Sequence, residues 1–137
     1  MHILMCNDDG ILADGLRHLA SYLSQYYRIT VVAPANEQSA KSHALTTEIP
    51  LKLDAYNGED ENPRLYALTG TPSDCMKFGL SYLLSDDMPD LVISGINHGF
   101  NLGSDVLYSG TVSAAMESCF YGIPGLALSV ERYSPER

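Results

Sequence analysis

The sequence predicts an α/β fold built on an open, mainly parallel sheet. Three observations lead there. The chain opens strand, helix, strand, with a connection long enough for a parallel crossover. Strand-like and helix-like spacings then keep alternating to the end. Polar clusters follow the strand candidates, where open α/β sheets bind ligands.

The elements follow in order. His2 to Cys6 is a short apolar run stopped by the turn chemistry of Asn7-Asp8-Asp9-Gly10. Leu16, Leu19, Ala20 and Leu23 recur at helical spacing, with Asp14 as the expected cap and an end near Tyr27. Ile29 to Ala33 is a second strand, closed by Pro34. After the polar stretch 36–43, Ile49, Leu51 and Leu53 alternate with Glu48, Pro50 and Lys52. That pattern predicts a half-exposed strand, and Pro50 puts the segment Thr47 to Leu53 at the periphery. Leu65 to Leu68 is another short strand. Thr71-Pro72-Ser73-Asp74 then supplies a cap, a proline and an acid in the positions that start a helix, here running to about Leu84. Asp90 to Ser94 reads as a strand, followed by a Gly/Asn-rich loop from Gly95 to Ser109. Val112, Ala115, Met116 and Cys119 mark a third helix, with Gly122 as its stop, and Leu126 to Val130 is the last strand. The strands starting near His2, Ile29, Asp90 and Leu126 are expected to be parallel and central. The seven residues after the last strand carry no further helix, so its apolar face is expected to be thinly covered.

Length and composition place residues 1–137 in one globular domain. No apolar run approaches the roughly 20 residues that span a bilayer. The start, Met1-His2-Ile3-Leu4, lacks the basic and long apolar regions of a signal peptide, so no membrane partner and a cytoplasmic location are expected. Cys6, Cys75 and Cys119 form no CxxC pair and read as buried reduced thiols. A net charge of −9 with only eight Lys and Arg argues against a polymeric nucleic-acid partner. A small phosphate ester remains compatible if a cation supplies positive charge locally. Part of the acidity, Asp54 to Arg64, reads as a solvated connection.

Adjacent carboxylates at a strand end repel each other and resist burial, and a hard divalent cation relieves both problems. Asp8 and Asp9 are therefore candidate metal ligands and the candidate catalytic residues; an exposed Asp-Asp-Gly turn is the plainer alternative. Ser39 and Asn97 would add neutral oxygens, a set that suits Mg²⁺ or Mn²⁺ better than zinc, although each also fits an ordinary turn. Ser109-Gly110-Thr111 opens the third helix, whose unpaired N–H groups offer a phosphate site or simply a capped start. Thr71 to Asp74 reads as plain capping. His98 and His43 lie in polar loops as possible acids or bases, whereas His2 and His18 read as structural or exposed. Neither GxxxxGK[ST] nor GxGxxG after the first strand is present, which weakens an ATPase or a dinucleotide enzyme.

Taken together, NDDG at Asn7 to Gly10, VVAPANEQSAKS at Val31 to Ser42, GTPSDC at Gly70 to Cys75 and SGINHGFNLGSDVLYSGTVSAAMES at Ser94 to Ser118 resemble the SurE family of 5'-nucleotidases. The segments occur in the family's order and cover nearly the whole chain. The resemblance implies a Rossmann-like three-layer α/β domain, one divalent cation (Mg²⁺ or Mn²⁺) and hydrolysis of nucleoside 5'-monophosphates. It implies that Asp8, Asp9, Ser39 and Asn97 bind the metal, and that Asn101 and Ser109 hold phosphate, to which the helix start is expected to add the Gly110 and Thr111 N–H groups. Ala40 and Ser118 stand where the family pattern has glycine, and Ala40 bears on the loop carrying Ser39. Family members are about twice as long and assemble as homodimers or homotetramers, so the resemblance implies a subunit whose C-terminal half lies beyond this chain. Two readings compete: a non-catalytic nucleotide-binding module, and a metal-using sugar-nucleotide transferase domain.

Overall fold

The computed structural model describes residues 1–38 and 44–131. Six strands form one sheet: β1 (His2–Cys6), β2 (Arg28–Pro34), β3 (Leu53–Ala55), β4 (Arg64–Leu68), β5 (Leu91–His98) and β6 (Gly125–Val130). Their order is β3-β4-β2-β1-β5-β6, with only the β3–β4 pair antiparallel. Helix α1 (Asp14–Leu23) packs on one face of the sheet. Helices α2 (Pro72–Phe78), continued by a π-helical turn Gly79–Leu83, and α3 (Gly110–Cys119) pack on the other.

This arrangement explains why β1 is apolar throughout. Alternate strand residues point to opposite faces, so Leu4 and Cys6 enter the core under α2 and α3 while Ile3 and Met5 enter the core under α1. All four are at most 1% exposed. Each fully buried side chain of this kind contributes about 1.5–3 kcal/mol. The chain leaves β1 toward β2 on one side and returns through α2 to β5 on the other. A crevice therefore opens at the carboxyl ends of β1 and β5, where the strand order reverses.

Several expectations change. The strand from Leu126 is parallel but sits at the edge rather than in the centre. Its residues Leu126 and Val130 stay 49% and 40% exposed, as the thin cover expected for it requires. Of the segment Thr47 to Leu53, only its end pairs: the antiparallel edge strand Leu53–Ala55 lies on β4, Lys52 bonds Thr69 just before it, and Pro50 lies outside the ladder. Helix α1 is capped from Ala13 without a side-chain bond, Asp14 being its first helical residue, and it ends at Leu23. β5 does not stop at Ser94 but runs on to His98. Helix α3 buries Thr111, Ala114, Ala115 and Ser118, whereas Met116 and Cys119 face outward. Small residues win that face because Gly125 approaches the Ala115 carbonyl so closely that no Cβ would fit. Ser118 is buried without penalty, since its hydroxyl donates to the Ala115 carbonyl at 2.7 Å. Burial, with Cys6 beside it, pushes the Cys75 thiol well up, so it stays protonated.

Candidate functional site

β1 ends in a turn that its own Asn7 side chain closes. Asn7 is wholly buried; its Nδ2 donates to the Gly10 carbonyl at 2.9 Å and its Oδ1 accepts from the Gly10 N–H at 3.1 Å. Gly10 adopts φ +101°, and a Cβ there would press on the Pro34 carbonyl at 3.3 Å. The turn is fastened to the segment after β2, for the Gln38 N–H reaches the Asp8 carbonyl at 2.7 Å and the Ile11 N–H reaches Pro34 at 2.8 Å. Asp8 and Asp9 are thereby presented at the crevice, Asp8 only 7% exposed. Ser39, Ala40 and His43 lie outside the described residues.

β5 delivers Asn97 by a bulge. Its pairing with β6 slips between Ser94 and Asn97, and Gly95, at φ +133°, passes so close to the Leu128 carbonyl that a Cβ would collide with it. The Asn97 amide nitrogen donates to the Gly99 carbonyl at 2.8 Å, which leaves Oδ1 as the oxygen available to a ligand. His98 is exposed at the strand end. Asn101 is drawn toward β6, its Nδ2 donating to Ser129 Oγ at 2.7 Å, so one of its two amide protons is already committed.

The third contribution is the start of α3. Ser109 is its N-cap and accepts the Val112 N–H on Oγ at 3.2 Å, while the Ser109 N–H bonds the Val106 carbonyl at 3.4 Å. Ser109 thus spends its N–H on local structure, while its hydroxyl, accepting the Val112 N–H, keeps its own proton to donate. The N–H groups of Gly110 and Thr111 have no acceptor within the helix. Gly110 backs directly onto Asp8: a Cβ would lie 2.9 Å from Asp8 Cβ and 3.2 Å from Pro72 Cγ. Thr111, with no exposed surface, donates its hydroxyl to Asp8 Oδ1 at 2.8 Å. The Asp8 carboxylate therefore rests on the positive end of the helix.

Of the residues singled out in the sequence, the fold brings Asp8 against Gly110 and Thr111, with Asp9 next in the chain to Asp8 and Ser109 next to Gly110. Asn97 lies on β5, the strand next to β1, three residues past Ser94, the last position paired with β1. Two contributors escape sequence reading. Asn7 carries a usable signal, an Asn ahead of Asp-Asp-Gly. The capping box Thr71–Asp74 is legible, but the anchoring it provides to a distant segment is not. Thr71 Oγ1 donates to the Ala44 carbonyl at 2.6 Å, and Asp74 accepts both the N–H and the hydroxyl of Thr46. Those bonds hold the stretch of chain that returns from residues 39–43. Beside it a cleft of about 240 Å³ is lined by Asn36, Gln38, Thr46, Ile49 and Thr69.

Among the described residues, no three His, Cys, Asp or Glu side chains gather, and no helix is long and apolar enough to cross a membrane. Asp8, Asp9 and Asn97 could offer a cation two carboxylates and an amide oxygen. Such a hard, oxygen-only set would suit a cation such as Mg²⁺ or Mn²⁺ better than a thiol- or imidazole-seeking metal.

Comparison with known proteins agrees with this fold. The family model described as survival protein SurE matches residues 3–137. The 5'-nucleotidase SurE of Thermoanaerobacter sp. (strain X514) is 54% identical over 129 residues, covering 94% of this chain and 50% of that protein. The 5'-nucleotidase SurE of Thermosipho africanus is 52% identical over 132 residues, again 94% of this chain and 50% of that protein. The crystal structure of a SurE protein from Aquifex aeolicus superposes with a TM-score of 0.86 at 41% identity, covering 98% of this chain and 53% of that one. The chain spans about half the length of the curated relatives it matches.

Proposed function

The chain belongs to the survival protein SurE family, and from that premise we propose that it carries the reaction centre of a cation-dependent phosphomonoesterase that converts nucleoside 5'-monophosphates to nucleoside and phosphate. The observation that carries the proposal is the seat of Asp8: a nearly buried carboxylate at a strand end, held against the first turn of α3. A catalytic site for an anionic ester needs such an arrangement. The carboxylates retain a cation, and the free N–H groups of the same helix start receive the phosphoryl oxygens.

In this reading Asp8, Asp9 and Asn97, together with Ser39, would hold one Mg²⁺ or Mn²⁺. When bound, that ion supplies Lewis acidity at the phosphoryl oxygen and acidifies nearby water. The chain's own residues do the rest. The Gly110 and Thr111 N–H groups and the positive end of α3 take the charge that gathers on the equatorial oxygens. Asn101 offers its remaining amide proton to the phosphate. Asp9, more exposed than Asp8, accepts a hydrogen bond from the attacking water and directs it in line with the leaving nucleoside oxygen. Ser109 acts as the cap that fixes the helix start. Homodimers or homotetramers are the proposed assembly.

Release of inorganic phosphate from AMP, GMP, CMP and UMP, measured in the complete protein with Mg²⁺, Mn²⁺ or a chelator, tests this. Cation-dependent release abolished by the chelator is the expected result. A protein that binds AMP but frees no phosphate would be a binding module instead.

A further inference from the structure

The sequence singles out Thr111 for its main-chain N–H alone. We infer that its side chain is a positioning residue: the Thr111 hydroxyl fixes the Asp8 carboxylate, leaving Oδ2 as the oxygen offered to the cation. This inference rests on the reading of Asp8 as a cation ligand.

Four observations carry it. The bond is short, 2.8 Å, and runs between a hydroxyl with no exposed surface and a carboxylate 7% exposed. A hydrogen bond from a buried hydroxyl to an ionised carboxylate is among the stronger kinds. It joins positions 103 residues apart, so it is not a local turn that the helix would make anyway. The neighbouring hydroxyl, on Ser109, serves as the helix cap and accepts the Val112 N–H, whereas Thr111 is the one that donates to Asp8. Gly110 is cut back to backbone where Asp8 lies, since a Cβ there would stand 2.9 Å from Asp8 Cβ. One residue makes the room and the next makes the bond.

The consequence is specific. A carboxylate on a two-bond stem turns freely unless something holds one oxygen. Partners that orient metal ligands in this way typically contribute 10–100-fold to metal affinity, although they never touch the ion. Thr111 then acts in two directions from one position, its N–H toward the phosphate and its hydroxyl toward Asp8. A change to valine separates the two, because it keeps the shape and the N–H and deletes the hydroxyl.

The test titrates Mn²⁺ into the complete protein by calorimetry or by electron paramagnetic resonance of the free ion. Thr111→Val, Thr111→Ser and Asp8→Asn are compared with the parent, and each variant's unfolding midpoint is recorded alongside. Thr111→Val should weaken Mn²⁺ binding by roughly 10–100-fold. Thr111→Ser, which keeps the hydroxyl, should return it close to the parent. Should the valine variant not fold, Thr111→Ala carries the same expectation. Parent-like Mn²⁺ affinity in Thr111→Val, or a serine variant as weak as the valine one, overturns the inference while Asp8→Asn still loses the ion. If Asp8→Asn itself binds Mn²⁺ as the parent does, the reading of Asp8 falls and this inference falls with it.

Discussion

The starts of α2 and α3 look alike in the sequence and do opposite things. Both open on a hydroxyl residue, Thr71 and Ser109, whose side chain accepts a main-chain N–H three residues on. In α2 the acid that balances the helix's positive end is its own Asp74, three residues past the cap, which also takes the Thr71 N–H at 2.9 Å. That end is self-sufficient, and its surplus bonding goes to Ala44 and Thr46. The first turn of α3 contains no acid. Its balancing carboxylate comes from Asp8, at the end of β1, and two N–H groups remain for a ligand. A helix start that supplies its own carboxylate holds structure together. One that borrows a carboxylate from elsewhere would, under the proposed function, assemble a site.

The sharpest way to break this contrast is to remove the two acids in turn. Asp8→Asn should lower AMP hydrolysis at moderate Mn²⁺ by more than the roughly 100-fold that orienting partners contribute, because a ligand itself is lost. Asp74→Asn should act on stability before activity. Equal loss of activity in both variants would erase the distinction. Next in size, Asp74→Ala should destabilise the fold by about 2–3 kcal/mol in urea unfolding, since it removes a cap and strands the Thr46 and Thr71 donors. A cost below about 0.5 kcal/mol, the low end for losing a cap, would show that the box is ornamental. Ser109→Ala should cost about 1 kcal/mol as a lost cap while leaving Mn²⁺ affinity unchanged. A drop in Mn²⁺ affinity would instead put Ser109 among the groups that hold the ion.

The smallest effect lies at the other end of the sheet and gives the baseline for those measurements. Burial lowers the pKa of His2 below the usual 6.5, the Arg28 guanidinium adding to the effect and Asp87 opposing it. The unfolded chain therefore takes up a proton first as pH falls. Stability is unaffected by this group above about 6.5 and declines as pH drops through the window between 6.5 and the depressed folded value. Unfolding free energies at pH 7 and pH 5 should show that decline, reduced in His2→Gln. An unchanged slope in the variant would assign it to other groups.

Which parts are legible follows from what each depends on. The run His2 to Cys6 and the run Ile29 to Pro34 are apolar because both sheet faces are covered, and that signal is local. The Thr71–Asp74 box is local as well, being made within four residues. The buried face of α3 is not legible, because a stripe containing Met116 and Cys119 looks more hydrophobic than one of Ala114, Ala115 and Ser118. Close approach to Gly125 selects small residues, and no helical periodicity reports a neighbouring backbone. The bulge that presents Asn97 reads in the sequence as the beginning of a loop, since Gly95 signals a break but not that pairing resumes beyond it.

By itself the sequence determined the alternation of elements, the two helix caps and the carboxylate pair behind β1. Each of these is set by residues within a turn or a strand of one another, where side-chain size and hydrogen-bonding capacity act directly on the nearby backbone. Only the tertiary structure decided that β6 lies at the edge, that Asn101 leans on Ser129, and that Thr111 and Gly110 close around Asp8. Those outcomes depend on which distant strand and helix ends the core packing brings together. Over 103 residues of separation, no local preference specifies the partner.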